Sequence, residues 1–174
     1  MVSRIGRSLL RRPLDTADTG TLVINGPQRW RSLALSNGAV LTHSMAAGES
    51  STGSSVDVTV ETMTIDATSR IDVSGKGRTY ISGMNGYVGG SYGGNGGKYQ
   101  SSEVTNPSFG SIHEPVDFGV GGGGTGELSR GGGAIKLVVS GVLQLDGEIR
   151  SDGTTGQPGY YRGTGSGGSI WLDV

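Results

Sequence analysis

The segment SVDVTVETMTIDATSRIDVSG, Ser55–Gly75, decides the predicted fold. Valines occupy every second position from Val56 to Val60, and a polar turn, DATSR, separates Ile65 from Ile71. Apolar residues at alternate positions, many of them β-branched, are typical of a strand that buries one face. The segment therefore predicts short strands that are joined by tight turns.

The same arrangement recurs in SLALSNGAVLTHS, before this segment, and in AIKLVVSGVLQLDGEIRSDG, after it. Strands of about three to five residues with such short turns favour a parallel β-helix-like solenoid with long glycine-rich loop insertions on one side. An antiparallel sandwich is the alternative. The core positions predicted to point inward are Leu35, Ile65, Ile71, Leu137 and Leu145.

Composition limits the class of protein. The chain has 174 residues, of which 35 are glycine, far above the usual share of about 7%. It has only five prolines and no glycine at every third position, which excludes collagen. The net charge of −1 argues against a nucleic-acid partner, and the absence of cysteine excludes disulfides and thiolate metal sites. No apolar run approaches the roughly 20 residues of a membrane span.

Two glycine-rich tracts, residues 75–133 and 151–168, each follow a strand and end just before the next one. Unlike flexible Gly/Ser linkers, they contain all six tyrosines of the chain. Glycine permits close approach of backbones, and tyrosine supplies rigid contact area. The tracts are predicted to form a binding face, and the alternative is that the tyrosines pin them to the strands. The predicted ligand-binding residues are Tyr87, Tyr92, Tyr99, Tyr160 and Tyr161.

No catalytic, metal or cofactor site is predicted. The run GTGSGG precedes a strand, whereas a dinucleotide-binding loop leads into a helix. His43 and His113 lack partners at the spacing of a catalytic triad or a metal site. Paired carboxylates could hydrolyse a polysaccharide, but the carboxylates of this chain lie at turns, where charged residues are usually solvated. Those considered for that role are Asp66, Asp72, Asp146, Glu148 and Asp152.

Residues 1–20 are predicted to be an N-terminal docking arm or cap, and residues 21–174 a glycine-rich β-solenoid domain. Before Pro13, arginines are interspersed with leucines in a segment too short to be a stable helix on its own. Because arginine suits interface ion pairs, this segment would order against a partner or cover the apolar end of the first repeat. The predicted docking residues are Arg4, Arg7, Leu9, Leu10, Arg11 and Arg12.

From Thr21 to Val174, the order of TLVIN, VTVETMTIDATSRIDVSGKG, FGSIHEPVDFGVGGGG and GGSIWLDV resembles glycine-rich β-solenoid adhesin modules. Such modules occur in phage tail fibres and in large bacterial surface proteins. The resemblance implies a non-enzymatic virion protein, a tail fibre or tail-associated adhesin. It would dock onto other virion proteins by its N-terminus, alone or as a homotrimer, and present its Gly/Tyr loops to a host glycan or protein.

Two other functions are kept as alternatives. One is a secreted bacterial surface-adhesion module, which would be extracellular or on the cell surface. The N-terminus lacks the apolar core of a secretory signal, which favours the virion as the location. The other is a polysaccharide-degrading enzyme of the tailspike type.

Overall fold

The computed structural model describes residues 2–4, 15–47, 54–79, 87–123, 129–155 and 163–174. The regular structure in these ranges is entirely β, so the all-β prediction is confirmed. No helix within them is long and apolar enough to cross a membrane. The strands are β1 (Val2–Arg4), β2 (Asp15–Asp18), β3 (Thr21–Val23), β4 (Gly26–Ser36), β5 (Val40–Thr42), β6 (Val56–Ile65), β7 (Arg70–Asp72), β8 (Ala134–Leu145), β9 (Glu148–Arg150) and β10 (Ser169–Asp173).

The strands form two sheets in which every strand pairing is parallel. One sheet contains the odd-numbered strands in the order β1-β3-β5-β7-β9, and the other contains the even-numbered strands in the order β10-β8-β6-β4-β2. Each strand therefore pairs with the strand two places along the chain. This parallel pairing excludes the antiparallel sandwich.

The predicted β-helix-like solenoid of short strands is wrong. The structure has two separate, open sheets, each with an edge strand at either end. Three strands of the even-numbered sheet are long, since β4, β6 and β8 contain 11, 10 and 12 residues. The apolar alternation changes phase after Val60, which looks like a strand end in the sequence. The strand instead continues through a shift of register between Val60 and Thr62.

The core lies between the sheets and consists of columns of like side chains. In the odd-numbered sheet, Leu22, Leu41 and Ile71 are register partners in β3, β5 and β7. All three are buried, and they belong to one cluster with Leu35 and Ile65 of the even-numbered sheet. β5 and β7 therefore each add an apolar side chain to the column that includes Leu22 of β3.

The inward orientation predicted for Leu35, Ile65, Ile71 and Leu137 is confirmed, because all four are buried. The prediction for Leu145 is wrong, since 41% of this residue is exposed. The physical reason is its place at the end of the sheet: β10 pairs only with Ala134–Val138 of β8. Leu145 pairs with Ile65 of β6 on one side, but none of the described strands lies on its other side to complete its burial.

The glycine-rich tracts pack against one another over much of their described length, which corrects the prediction of loop insertions. Their backbone segments, which we call the glycine layer, are residues 75–79, 88–90, 118–123, 129–133, 151–155 and 163–168. The Gly77 N–H donates to the Gly131 carbonyl and the Gly119 N–H to the Gly132 carbonyl, each at 2.9 Å. A β-carbon on Gly131 would overlap the backbone of Gly119. Glycine is therefore required here because any side chain would force the segments apart.

Candidate recognition surface

Residues 91–117 leave the glycine layer and return to it, and we call them the exposed loop. Ser91 and Asn106, both buried, hold its two halves together. The Ser91 hydroxyl donates to the Asn106 carbonyl at 2.7 Å and accepts the Gly96 N–H at 3.0 Å. The loop is therefore fastened across its base by a buried polar contact.

An aromatic contact fastens the loop at a second point. The rings of Phe109 and Tyr92 pack edge to face, with their centroids 5.3 Å apart. The Arg78 guanidinium lies 4.9 Å from the centroid of the Phe109 ring. Gly110 has φ +92°, and a β-carbon there would lie 2.6 Å from the Tyr92 ring. Burial raises the pKa of Tyr92, whose hydroxyl lies near Ser169. Tyr92 therefore packs inside the base of the loop.

The outer part of the exposed loop is shaped by side chains that accept backbone hydrogen bonds. The Glu103 carboxylate accepts the N–H groups of Tyr99 and Gln100, both at 2.9 Å. The Ser111 hydroxyl accepts those of His113 and Glu114 at 3.1 and 3.0 Å. These contacts define two turns in the exposed loop.

Several apolar side chains of the exposed loop are accessible to solvent. Tyr99 is 58% exposed and Ile112 is 88% exposed, and Val104 and Val116 are also exposed. The three aliphatic residues are not among the predicted ligand-binding residues. Their signal was available in SSEVTNPSFGSIHEPVDFG, where isolated apolar residues stand among polar ones without the periodicity of a strand.

The structure separates the predicted tyrosines rather than bringing them together. Tyr87 and Tyr99 are exposed, and Tyr87 has an unusual positive φ of 61°. Tyr92 is packed in the base of the loop. This position agrees with the alternative prediction, in which the tyrosines pin the glycine-rich tracts to the strands. Tyr160 and Tyr161 lie outside the described residues, so their predicted role stays a prediction.

The predicted docking residues lie almost entirely outside the described part of the chain. Arg4 is the last residue of β1, which pairs with β3 in the odd-numbered sheet. Arg7, Leu9, Leu10, Arg11 and Arg12 fall in the undescribed range 5–14. The docking role therefore stays a prediction for all six residues.

The carboxylates considered for hydrolysis are engaged in local turns. The Thr68 hydroxyl and the backbone N–H groups of Asn37 and Thr68 donate to Asp66. The hydrogen bond from the Thr68 hydroxyl has the largest effect and that from the Asn37 N–H the next largest. Together they hold the pKa of Asp66 well below its ordinary value. Although partial burial opposes it, hydrogen bonds from Ser74 lower the pKa of Asp72. A glycosidase acid needs a raised pKa instead.

The three carboxylates after β8 are also paired locally. Asp146 accepts the Gln144 side-chain amide at 2.8 Å, and Asp152 accepts the Arg150 guanidinium at 2.7 Å. Glu148 lies 3.9 Å from Arg150. These contacts give no support to the hydrolase alternative.

His43 lies where the sheets meet the glycine layer and is completely buried. Its Nε2 accepts the Ala134 N–H at 3.3 Å, so Nδ1 carries the proton and donates to the Ser44 carbonyl at 2.6 Å. The ring stacks on Phe118, with centroids 5.5 Å apart. Burial lowers the pKa of His43, and the Lys76 charge adds to this effect. His43 is therefore a neutral structural histidine, whereas His113 is exposed.

Comparison of the chain with protein-family models, with curated proteins and with solved structures found no match. The function proposed below therefore depends on the geometry of the described residues and on the sequence resemblance.

Proposed function

We propose that this chain is an attachment protein of a virion, a tail fibre or tail-associated adhesin, that recognises a host surface through the exposed loop. The observation that carries the proposal is a loop that is fastened at its base and exposes the side chains of Tyr99 and Ile112. Exposed apolar and aromatic side chains on a shaped surface are typical of sites that bind another molecule.

The architecture of the loop supports binding. Its base is held by Ser91, Asn106 and Phe109, so the loop backbone loses little freedom when a ligand contacts the exposed side chains. Preorganisation of this kind increases affinity because less ordering free energy opposes the contact. The glycine layer in turn supplies a broad platform for the loop through direct backbone hydrogen bonds.

The N-terminal residues would join this surface to the rest of the particle. This part of the proposal is supported by the resemblance to tail-fibre adhesins and by the arginines before Pro13. The host ligand would be a surface glycan or protein, and the protein would bind it without cleaving it.

The experiment compares binding of the purified chain to intact cells of a bacterial panel. Replacing both Tyr99 and Ile112 by alanine is expected to weaken binding at least about tenfold, because anchors of this type dominate recognition. Met45→Ala is the matched control, since Met45 is exposed but lies outside the loop. Unchanged binding of the double variant would exclude the exposed loop as the recognition surface. Absence of binding to every cell tested, together with release of reducing sugar from envelope polysaccharide, would favour the enzyme alternative.

A further inference from the structure

The last strands of both sheets leave open edges at one end of the molecule. β9 pairs with β7 on one side, and none of the described strands pairs with its other side. β10 is the edge strand of the even-numbered sheet, and it stops short of Val142–Leu145 in β8. An open edge presents backbone N–H and C=O groups that can pair with another chain.

Exposed apolar side chains are concentrated at the same end. Ile170 and Leu172 are register partners of the buried Ile135 and Leu137, and Leu145 is the partner of the buried Ile65. These side chains continue the core columns to the point where the described strands stop. The exposed apolar residues of this terminal edge are Leu145, Ile170, Leu172 and Val174. An exposed surface of this kind is suited to burial against protein.

The charges of β9 make this edge complementary to itself. Glu148 and Arg150 flank Ile149, and their side chains are 64% and 52% exposed. In an antiparallel pair of two β9 strands centred on Ile149, each Glu148 would face Arg150 of the other copy. The Arg150 guanidinium would then be shared between that carboxylate and Asp152 of its own chain, to which it donates at 2.7 Å. A parallel pair in the same register would place like charges together. Opposite charges directly across a strand pair stabilise it, and like charges destabilise it.

We propose that the terminal edge is the interface of a twofold-symmetric homodimer. The β9 strands of two copies pair antiparallel about Ile149, and the apolar residues of the terminal edge are buried between the copies. Self-complementary interfaces of this type produce closed dimers, the commonest oligomers of soluble proteins. The dimer does not depend on the proposed function, but it would present two exposed loops and so increase avidity for a repetitive surface.

Cross-linking tests the register directly, because the native chain contains no cysteine. Facing residues in antiparallel strands have Cα atoms about 4.5–5.5 Å apart, which a disulfide can span. Mild oxidation of the Ile149→Cys variant is expected to give a covalent dimer in high yield. Ile112→Cys, in the exposed loop, is the control and is expected to stay mainly monomeric on a denaturing gel. A covalent dimer of Ile112→Cys, with Ile149→Cys remaining monomeric, would overturn the proposal.

Charge reversal tests the pairing independently by sedimentation equilibrium of the full chain. Glu148→Arg alone and Arg150→Glu alone are each expected to raise the dimer dissociation constant about fivefold or more. The double variant restores opposite charges and is expected to recover the wild-type constant. Circular dichroism confirms that each variant is folded. A wild-type chain that is monomeric throughout, or a double variant weaker than either single variant, would overturn the proposal.

Discussion

The two sheets and the glycine layer are held together by opposite means. In the sheets, buried side chains such as Leu35, Ile65 and Leu137 fill the space between parallel strands. In the glycine layer, the segments approach so closely that a β-carbon on Gly131 or Gly90 would overlap the backbone of a neighbouring segment. Removal of a side chain should therefore damage the sheets, whereas addition of one should damage the layer.

This difference explains why the chain contains so much glycine. Glycine loses more conformational entropy on folding than any other residue. That loss is offset in the layer by hydrogen bonds such as those from Gly119 to Gly132 and from Gly132 to Ser166, both 2.9 Å. The layer then forms a platform for the exposed loop, although it buries only a few apolar side chains, such as Val88, Phe118 and Val120.

The largest effect is expected from a methyl group added inside the glycine layer. Gly131→Ala should lower the free energy of unfolding by at least about 4 kcal/mol, because backbone of a second segment occupies the position of its β-carbon. Gly97→Ala is the matched control, since nothing lies within 4 Å of its β-carbon position. It should change stability by less than about 1 kcal/mol. Urea unfolding measures the stability of both variants. Similar losses for Gly131→Ala and Gly97→Ala would contradict the claim that close backbone packing holds the glycine layer together.

A cavity in the core between the sheets should have the next largest effect. Leu137→Ala is expected to lower stability by about 3 kcal/mol, because Leu137 is completely buried. Leu145→Ala, in the same strand but exposed, should lower it by less than about 1 kcal/mol. Both are measured by urea unfolding at a concentration where the wild-type chain is monomeric. Equal losses would mean that Leu145 is also a core residue.

The junction between the two regions should respond to pH through His43. Because its pKa in the folded chain is lowered from 6.5, the unfolded chain binds the proton first. Stability is therefore unaffected above about pH 6.5 and falls as the pH decreases below it, by up to about 1.4 kcal/mol per pH unit. His43→Gln should remove this slope between pH 6.5 and 5, and His113→Gln, at an exposed site, should leave it unchanged. A slope that persists in the first variant would assign the titration to another group.

The smallest effect is expected at the outer side of the exposed loop. Tyr99→Ala should change the free energy of unfolding by less than about 0.5 kcal/mol, because most of the residue faces solvent. Tyr92→Ala should lower it by about 2 kcal/mol or more, since its ring packs on Phe109 and Gly110. Thermal unfolding distinguishes the two. A large loss for Tyr99→Ala would make it a structural tyrosine.

The strands and most of their buried faces could be predicted from the sequence, because alternation from Val56 to Val60 depends only on the geometry of a strand. The strand lengths could not, since a shift of register after Val60 looks like a strand end. The exposure of Leu145 depends on how far β10 extends, and this is a property of the neighbouring strand rather than of Leu145. The roles of Tyr92 and Tyr99 could not be distinguished, because partners distant in sequence decide them.

Amide hydrogen exchange tests the central claim most directly, namely that the glycine layer is folded through backbone hydrogen bonds. The amides of Gly77, Gly119 and Gly132 each donate to a carbonyl of another segment. They are predicted to be protected to a degree comparable with the amides of β6. Exchange of these glycine amides at the rate of an unfolded chain, while β6 remains protected, would contradict the account.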